Sequence, residues 1–274
     1  MDLKHLSIKA IDAAFAAGKV IKDFTNEKVA VEKKVSGASY ASQVVTEVDK
    51  ACEKAILSHL LPTCAAFDIA LLSEEMEDDG SRFKKDFFWC IDPMDGTLAY
   101  INKQPGFSVS IALVAKDGTP FIGVVFDPST DTLYHAIKGH GAYKNKSPWK
   151  LKMPNTYLTY VTDHKLKDTP RATEIVGMLN DKVEQLKLSG IEEIAGAGSV
   201  LNAILVLENG PACMLKFPKL EIGGGCTWDY AATACIYKEL GLAATNFERG
   251  RLDLNKKEGT FMNHEGVFYS NFSI

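Results

Sequence analysis

The stretch Phe87-Phe88-Trp89-Cys90-Ile91-Asp92-Pro93-Met94-Asp95-Gly96-Thr97 carries the residues best suited to chemistry. An apolar run of strand character ends in two carboxylates three positions apart, followed by a glycine and a hydroxyl residue. Two ionised aspartates beside a buried strand are costly unless a cation or a strong donor set compensates them, so a metal site accounts for them economically. Gly96 admits backbone geometry closed to other residues. Thr97 can open a helix through Leu98, Ala99 and Tyr100 whose leading amides would offer an anion a seat beside the aspartates. Asp-Pro and Asp-Gly are also ordinary turn signals, and Asp92 alone could serve as a helix cap.

Other acids stand at the ends of predicted elements. Phe67 to Leu72 reads as a strand that delivers Glu74 and Glu75, whereas Glu77-Asp78-Asp79-Gly80 reads as a solvated acidic turn. Val44 to Asp49 leads a helix with Val48, Cys52, Ala55, Ile56 and Leu60 on one face, stopped by Pro62. Thr46 and Asp49 make a capping pair there. Asp229 follows Trp228 at the start of a helix, where an acid can simply complement the helix dipole. Ile194-Ala195-Gly196-Ala197-Gly198-Ser199 suggests a dinucleotide fingerprint, but Leu201 occupies the third glycine position.

Trp89-x-Ile91-Asp92-Pro93-Met94-Asp95-Gly96-Thr97, preceded by Leu72-Ser73-Glu74-Glu75 and followed by Trp228-Asp229-Tyr230-Ala231-Ala232, resembles the signature of the inositol monophosphatase superfamily. That resemblance implies an α+β / α/β fold, a layered αβαβα sandwich of the inositol monophosphatase/fructose-1,6-bisphosphatase type. It implies lithium-sensitive hydrolysis of a small phosphomonoester with two or three Mg²⁺ ions, Mn²⁺ being a substitute. Glu74, Asp92 and the Met94 carbonyl would hold one ion, and Asp92, Asp95 and Asp229 a second. Glu74 and Thr97 would act on the attacking water, Asp49 would orient Thr97, and Asp95, the Gly96 and Thr97 amides, Gly198, Ser199 and Asp229 would line the phosphate and substrate pocket. Glu75 would be an accessory, residues 27–42 a flexible arm over the site, and a homodimer the assembly.

Within the superfamily, Phe107-Ser108-Val109-Ser110-Ile111-Ala112-Leu113, the Leu-Ser-Glu-Glu form of the acidic element and the closing Leu254 to Phe268 segment look closer to the 3'(2'),5'-bisphosphate nucleotidase (CysQ-like) branch. An inositol monophosphatase is the alternative, and a non-catalytic metal- or nucleotide-binding member of the fold is the alternative from another class. Lys216, Lys219 and Arg171 could meet a second phosphate, although isolated basic residues are mostly solvated surface.

These acids need a sizeable scaffold, and 274 residues with 46% hydrophobic content supply one. A polar stretch from Lys144 to Asn155 separates a predicted N-terminal α+β lobe, 1–150, from a C-terminal α/β lobe, 151–274. In the first lobe, a helix ending near Phe24 precedes the acids. Strands at 107–114 and 121–126 form a hairpin around Lys116-Asp117-Gly118-Thr119, and a third strand spans 132–137, giving an antiparallel meander. In the second lobe, strands at 157–162, 191–195 and 212–217 alternate with helices at 172–179, 199–207 and 228–240. A net charge of −4 offers no bulk attraction to nucleic acid polymers or anionic membranes, so a phosphate substrate would rely on a local positive field. Six cysteines without Cys-x-x-Cys spacing read as reduced core thiols, which sets aside zinc and disulfide frameworks. Neither a signal peptide nor a bilayer-length apolar run is evident, and the expected location is cytoplasmic.

Overall fold

The computed structural model describes residues 1–24, 31–33, 44–169 and 171–272. Helix α1 (Leu3–Phe24) is followed by β1 (Val31–Lys33), paired antiparallel with β2 (Val44–Thr46), which leads into α2 (Glu47–Phe67). The rest of the arm expected over 27–42 lies outside the described residues. One sheet then takes its strands in chain order: β3 (Ala70–Ser73), β4 (Phe87–Asp95), β5 (Ser108–Ala115), β6 (Pro120–Asp127), β7 (Thr132–Ile137), β8 (Ala142–Lys144) and β9 (Ser147–Pro148), with the short helix α3 (Thr97–Ile101) between β4 and β5. Only β3 and β4 run parallel in it; the later pairs are antiparallel, the expected meander.

The second sheet contains β10 (Leu158–Thr162), β11 (Ile191–Ala195), β12 (Ala212–Lys216), β13 (Ala244–Thr245) and β14 (Val267–Ser270), in the order β11-β10-β12-β14-β13. Its helices are α4 (Ala172–Leu186), α5 (Ser199–Glu208) and α6 (Thr227–Glu239). β10, β11 and β12 are parallel, and β14 runs against β12 and β13.

Strand alternation distributes the layers. Trp89, Ile91, Val109 and Ile111 face α1 and α2, packing with Leu6, Ala10, Ile21, Val48, Ile56 and Leu60. Phe88, Cys90, Ala112 and Val114 point the other way, into a core shared with α5, α6 and the second sheet through Val200, Ile204, Tyr230, Ile236, Met214 and Tyr269. Ile175 and Leu179 of α4 cover the far side of the second sheet with Leu158, Tyr160 and Cys213. The order is helices, sheet, helices, sheet, helix, the layered αβαβα sandwich that the resemblance implies. Among the described residues no helix is long and apolar enough to cross a membrane. All six cysteines are free.

Three elements depart from the sequence reading. Pro62 does not stop α2, which runs on to Phe67. Pro62 lies on the exposed face, so the helical donor that its missing N–H denies to the Ser58 carbonyl is given up at the surface, while the buried face is held by Thr63, which receives the Trp89 indole N–H at 2.9 Å. The strand expected from Phe67 therefore begins at Ala70, after Asp68 turns the chain in a left-handed conformation. Helix α4 continues past Leu179 because Val183 still packs against the second sheet.

Candidate active site

Asp92 and Asp95 lie within β4 rather than beyond its end. Residues three apart on a regular strand face opposite sides. Here the register with β5 shifts between them, so that Asp92 pairs with Ser110 and Asp95 with Ser108, and one extra residue on β4 turns both carboxylates to the face that looks at α6. Pro93, which has no amide to give the ladder, falls in this irregular step, and Met94 stays buried on the α1–α2 side. The Met94 amide donates to Asp92 Oδ1 at 3.0 Å, fixing the step.

Gly96 then caps α3 at φ 84°, and a Cβ there would strike the Gly106 carbonyl, so conformation and space both demand glycine. Thr97 opens α3 as expected; its hydroxyl donates to the Met94 carbonyl at 3.1 Å, the oxygen assigned to an ion by resemblance. Asp49 is buried at the start of α2, near enough for its charge to bear on Asp92.

Asp229 arrives from the middle layer. It sits in the first turn of α6, where its Oδ2 accepts the Cys226 amide at 2.8 Å in a reciprocal capping arrangement. Ser110 ties this helix start to the sheet by donating to the Trp228 carbonyl at 3.1 Å. The trio Asp92, Asp95 and Asp229 brings carboxylate oxygens within 4.8 Å of one another. Glu74, at the end of β3, has its amide on the Ile91 carbonyl at 3.1 Å, and its charge acts on both Asp92 and Asp229.

The glycine-serine element also converges here. The Val200 amide, in the first turn of α5, donates to Asp95 Oδ2 at 2.9 Å, and Gly198 lies so close to that carboxylate that a Cβ would overlap it. Ser199 Oγ accepts from Lys216 Nζ at 2.8 Å, and Lys216 is ion-paired with Asp163 at 2.8 Å. Asp163 is held in turn by Asn202 at 2.7 Å. Of the basic residues considered from the sequence, Lys216 thus belongs to the site's wall. Arg171 instead pairs with Glu174 and lies over the Phe217 ring, while Lys219 is exposed. The sequence reading gives Asp163 and Ser110 no role because their places beside Lys216 and Trp228 depend on contacts between distant elements.

The electrostatics are those of crowded carboxylates that Lys216 offsets only in part. Burial, then the charges of Glu74, Asp95 and Asp229, push the Asp92 carboxyl well above the carboxylate range. Burial and Asp229 do the same to Asp95, against the opposing pull of the Val200 amide and Lys216. Burial and Glu74 raise Asp229 to about 6. Burial disfavours the charge on Lys216, but the charges of Asp163, Tyr230 and Asp229 and the Asp163 hydrogen bond together outweigh it and push the ammonium group's pKa up. Burial also pushes the Cys90 and Cys226 thiols up, so neither offers a thiolate. A buried, self-repelling, all-oxygen donor set fits a hard divalent cation, and the residues present are the right ones to hold it.

A five-layer α/β sandwich with a cluster of buried carboxylates between its sheets frames a candidate centre for a divalent cation. The whole-chain comparison specifies it further: residues 2–271 match the inositol monophosphatase family, and the chain belongs to that family. It is a metal-dependent phosphomonoester hydrolase. It is 28% identical to the inositol-1-monophosphatase of Bacillus subtilis (strain 168), covering 94% of this chain and 89% of that one. It is 29% identical to the 3'(2'),5'-bisphosphate nucleotidase CysQ of Aggregatibacter actinomycetemcomitans, covering 94% and 90%. Its fold superimposes on the crystal structure of CysQ from Bacteroides thetaiotaomicron with a TM-score of 0.73 at 24% identity, covering 98% of each chain.

Proposed function

We propose that the protein is a Mg²⁺-dependent 3'(2'),5'-bisphosphate nucleotidase that converts adenosine 3',5'-bisphosphate to AMP and phosphate. The observation that carries the substrate class is Lys216, a largely buried cation fixed by Asp163 and Ser199 beside Asp95. A leaving group bearing a second phosphate has use for such a charge, whereas the neutral polyol of an inositol ester does not.

Glu74, Asp92, the Met94 carbonyl, Asp95 and Asp229 would hold the Mg²⁺ ions, two or three in number and replaceable by Mn²⁺. Bound there, the ions supply charge neutralisation at the phosphoryl oxygens and lower the pKa of a coordinated water. The chain's own residues do the positioning. Glu74 and Thr97 hold the attacking water, with Asp49 behind Thr97, while the Gly96 and Thr97 amides take phosphate oxygens and Gly198 and Ser199 face the leaving group. The water oxygen gives up a proton toward Glu74 and forms a bond to phosphorus as the ester P–O bond breaks, and the leaving oxygen takes a proton from solvent in exchange, so one water is consumed for each alcohol and phosphate released.

In this reading 1–150 is the lobe with most ion ligands, 151–274 adds Asp229 and the substrate pocket, the enzyme is inhibited by Li⁺, and the protein works in the cytoplasm as a homodimer. The Bacillus relative supports inositol monophosphatase as a second reading. Phosphate release from adenosine 3',5'-bisphosphate and from inositol 1-phosphate, with Mg²⁺ and with and without Li⁺, separates them. Preference for the nucleotide is expected, and preference for the inositol ester would overturn the substrate class.

A further inference from the structure

Ser108 and Ser110 are the two small polar residues on the inner face of β5, opposite Asp95 and Asp92 respectively. Both are 0% exposed. Ser110 has a clear employment, since its hydroxyl holds the Trp228 carbonyl next to Asp229. Ser108 has none: among the described residues its Oγ is buried without a hydrogen-bond partner. A buried hydroxyl left unsatisfied costs about 1–3 kcal/mol, so one buried beside a charged cluster calls for a partner within reach of another of its rotamers.

Register identifies that partner. Residues directly opposite on antiparallel strands project from the same face with Cβ atoms about 4.5–5.5 Å apart. The Asp95 carboxylate is gripped from the α5 side, where its Oδ2 receives the Val200 amide. A change of Ser108 χ1 among its staggered wells is the movement that would turn its hydroxyl toward the same carboxylate from the β5 side.

We propose that Ser108 is a positioning residue for Asp95, its hydroxyl donating to the carboxylate when the site takes up its cation, so that amide and hydroxyl clamp the ligand from both sides. This rests on the reading of Asp95 as an ion ligand. Donors behind a ligating carboxylate fix its orientation, and their removal typically weakens metal binding by about 10- to 100-fold.

The test is Mg²⁺ titration calorimetry on purified Ser108→Ala and wild-type protein, with melting temperature in chelator and the kcat and KM for a phosphomonoester alongside. The alanine variant should bind Mg²⁺ about tenfold more weakly, with kcat reduced more than KM is raised, while its melting temperature in chelator is unchanged or higher because an unsatisfied hydroxyl has gone. A purely structural serine would give the opposite pattern, a lower melting temperature in chelator with unchanged cation affinity, and that result would overturn the proposal. Ser108→Cys, nearly isosteric and a weak donor, should shift affinity in the same direction and serves if the alanine variant does not fold. Because cation affinity is read without turnover, a failure of the nucleotidase assignment leaves this test intact.

Discussion

Asp92 and Asp95 stand three positions apart on one strand and yet face the same side of it, because β4 carries an extra residue between its pairings with Ser110 and Ser108. A regular strand would have buried one carboxylate against α1 and α2, in an apolar layer with no use for it. The bulge therefore brings both carboxylates to one face, and Asp229 on α6 joins them from the layer that this face covers.

Asp95→Asn separates the two costs of that arrangement. The amide oxygen can still accept from Val200, so the α5 contact survives, while a buried negative charge is removed. Turnover should fall by about two to three orders of magnitude, the range seen when a transition-state charge stabiliser is lost. The protein in chelator should melt at a higher temperature than wild type. Calorimetric unfolding and phosphate release on the same preparations check both, and retained turnover would remove Asp95 from the cation site.

Gly198→Ala probes the contact between α5 and the site. The backbone at Gly198 is ordinary, at φ −65°, so an alanine is not strained there. Its Cβ would instead overlap the Asp95 carboxylate. Overpacking of this kind costs about 1–3 kcal/mol. Because the atoms displaced belong to a carboxylate proposed to hold an ion, kcat/KM should fall by more than tenfold while the melting temperature drops only modestly. Equal kcat/KM in wild type and variant would show that α5 does not set the position of Asp95.

Much of this was legible in the sequence. The acids stood out because Asp92, Asp95 and Glu74 interrupt or close apolar runs, and Trp228-Asp229 opens a helix whose hydrophobic content marks it as buried. The layers followed from strands and helices with clear periods. The bulge was not legible, since alternation through Asp92-Pro93-Met94-Asp95 predicts opposite faces and only pairing with β5 reveals the shift. Pro62 misled because the rule that proline ends helices takes no account of which face it occupies; with its ring exposed and Thr63 bonded to Trp89 beneath, α2 passes through. The short strands β8, β9, β13 and β14 have too few residues to show a period, and they form because neighbouring strands offer free edges. Lys216 looked like any isolated basic residue; its position depends on β10, β12 and α5 meeting, which is tertiary information.

Stability without cation should respond to pH in the sense opposite to most carboxylates. The Asp229 carboxyl rises from 3.8 to about 6 in the fold, and Asp92 and Asp95 rise as well. A raised acid pKa means that the folded state binds protons more tightly than the unfolded one, so the contribution is greatest below the unfolded value and is lost as pH climbs through the folded one. In chelator, the melting temperature of wild type relative to Asp229→Asn should therefore decline as pH rises from about 4 to 6. Mg²⁺ should reverse the trend, binding the deprotonated trio more tightly at higher pH and adding about 2.7 kcal/mol at a hundredfold excess over its dissociation constant. Melting curves across this range, with and without Mg²⁺, decide it; parallel curves for the two proteins in chelator would mean that Asp229 is not perturbed.

Lys216→Met tests the substrate reading at a residue outside the carboxylate trio. The methionine keeps an unbranched apolar stem and removes the charge that lies over the Tyr230 ring and that Asp163 and Ser199 hold beside Asp95. Asp163 loses its ion pair but keeps the Asn202 amide and partial access to solvent, so the fold should survive. If Lys216 meets the second phosphate of the substrate, the variant should lose about tenfold or more in kcat/KM for adenosine 3',5'-bisphosphate, the effect of one charge-assisted hydrogen bond of about 1.5–3 kcal/mol. Most of that loss should appear in KM, since the contact is present in ground and transition states alike. A phosphomonoester with a neutral leaving group should be hydrolysed by the variant nearly as well as by wild type. An equal loss on both substrates would assign Lys216 to the support of Asp95 through Ser199 and withdraw the charge-reading role from it.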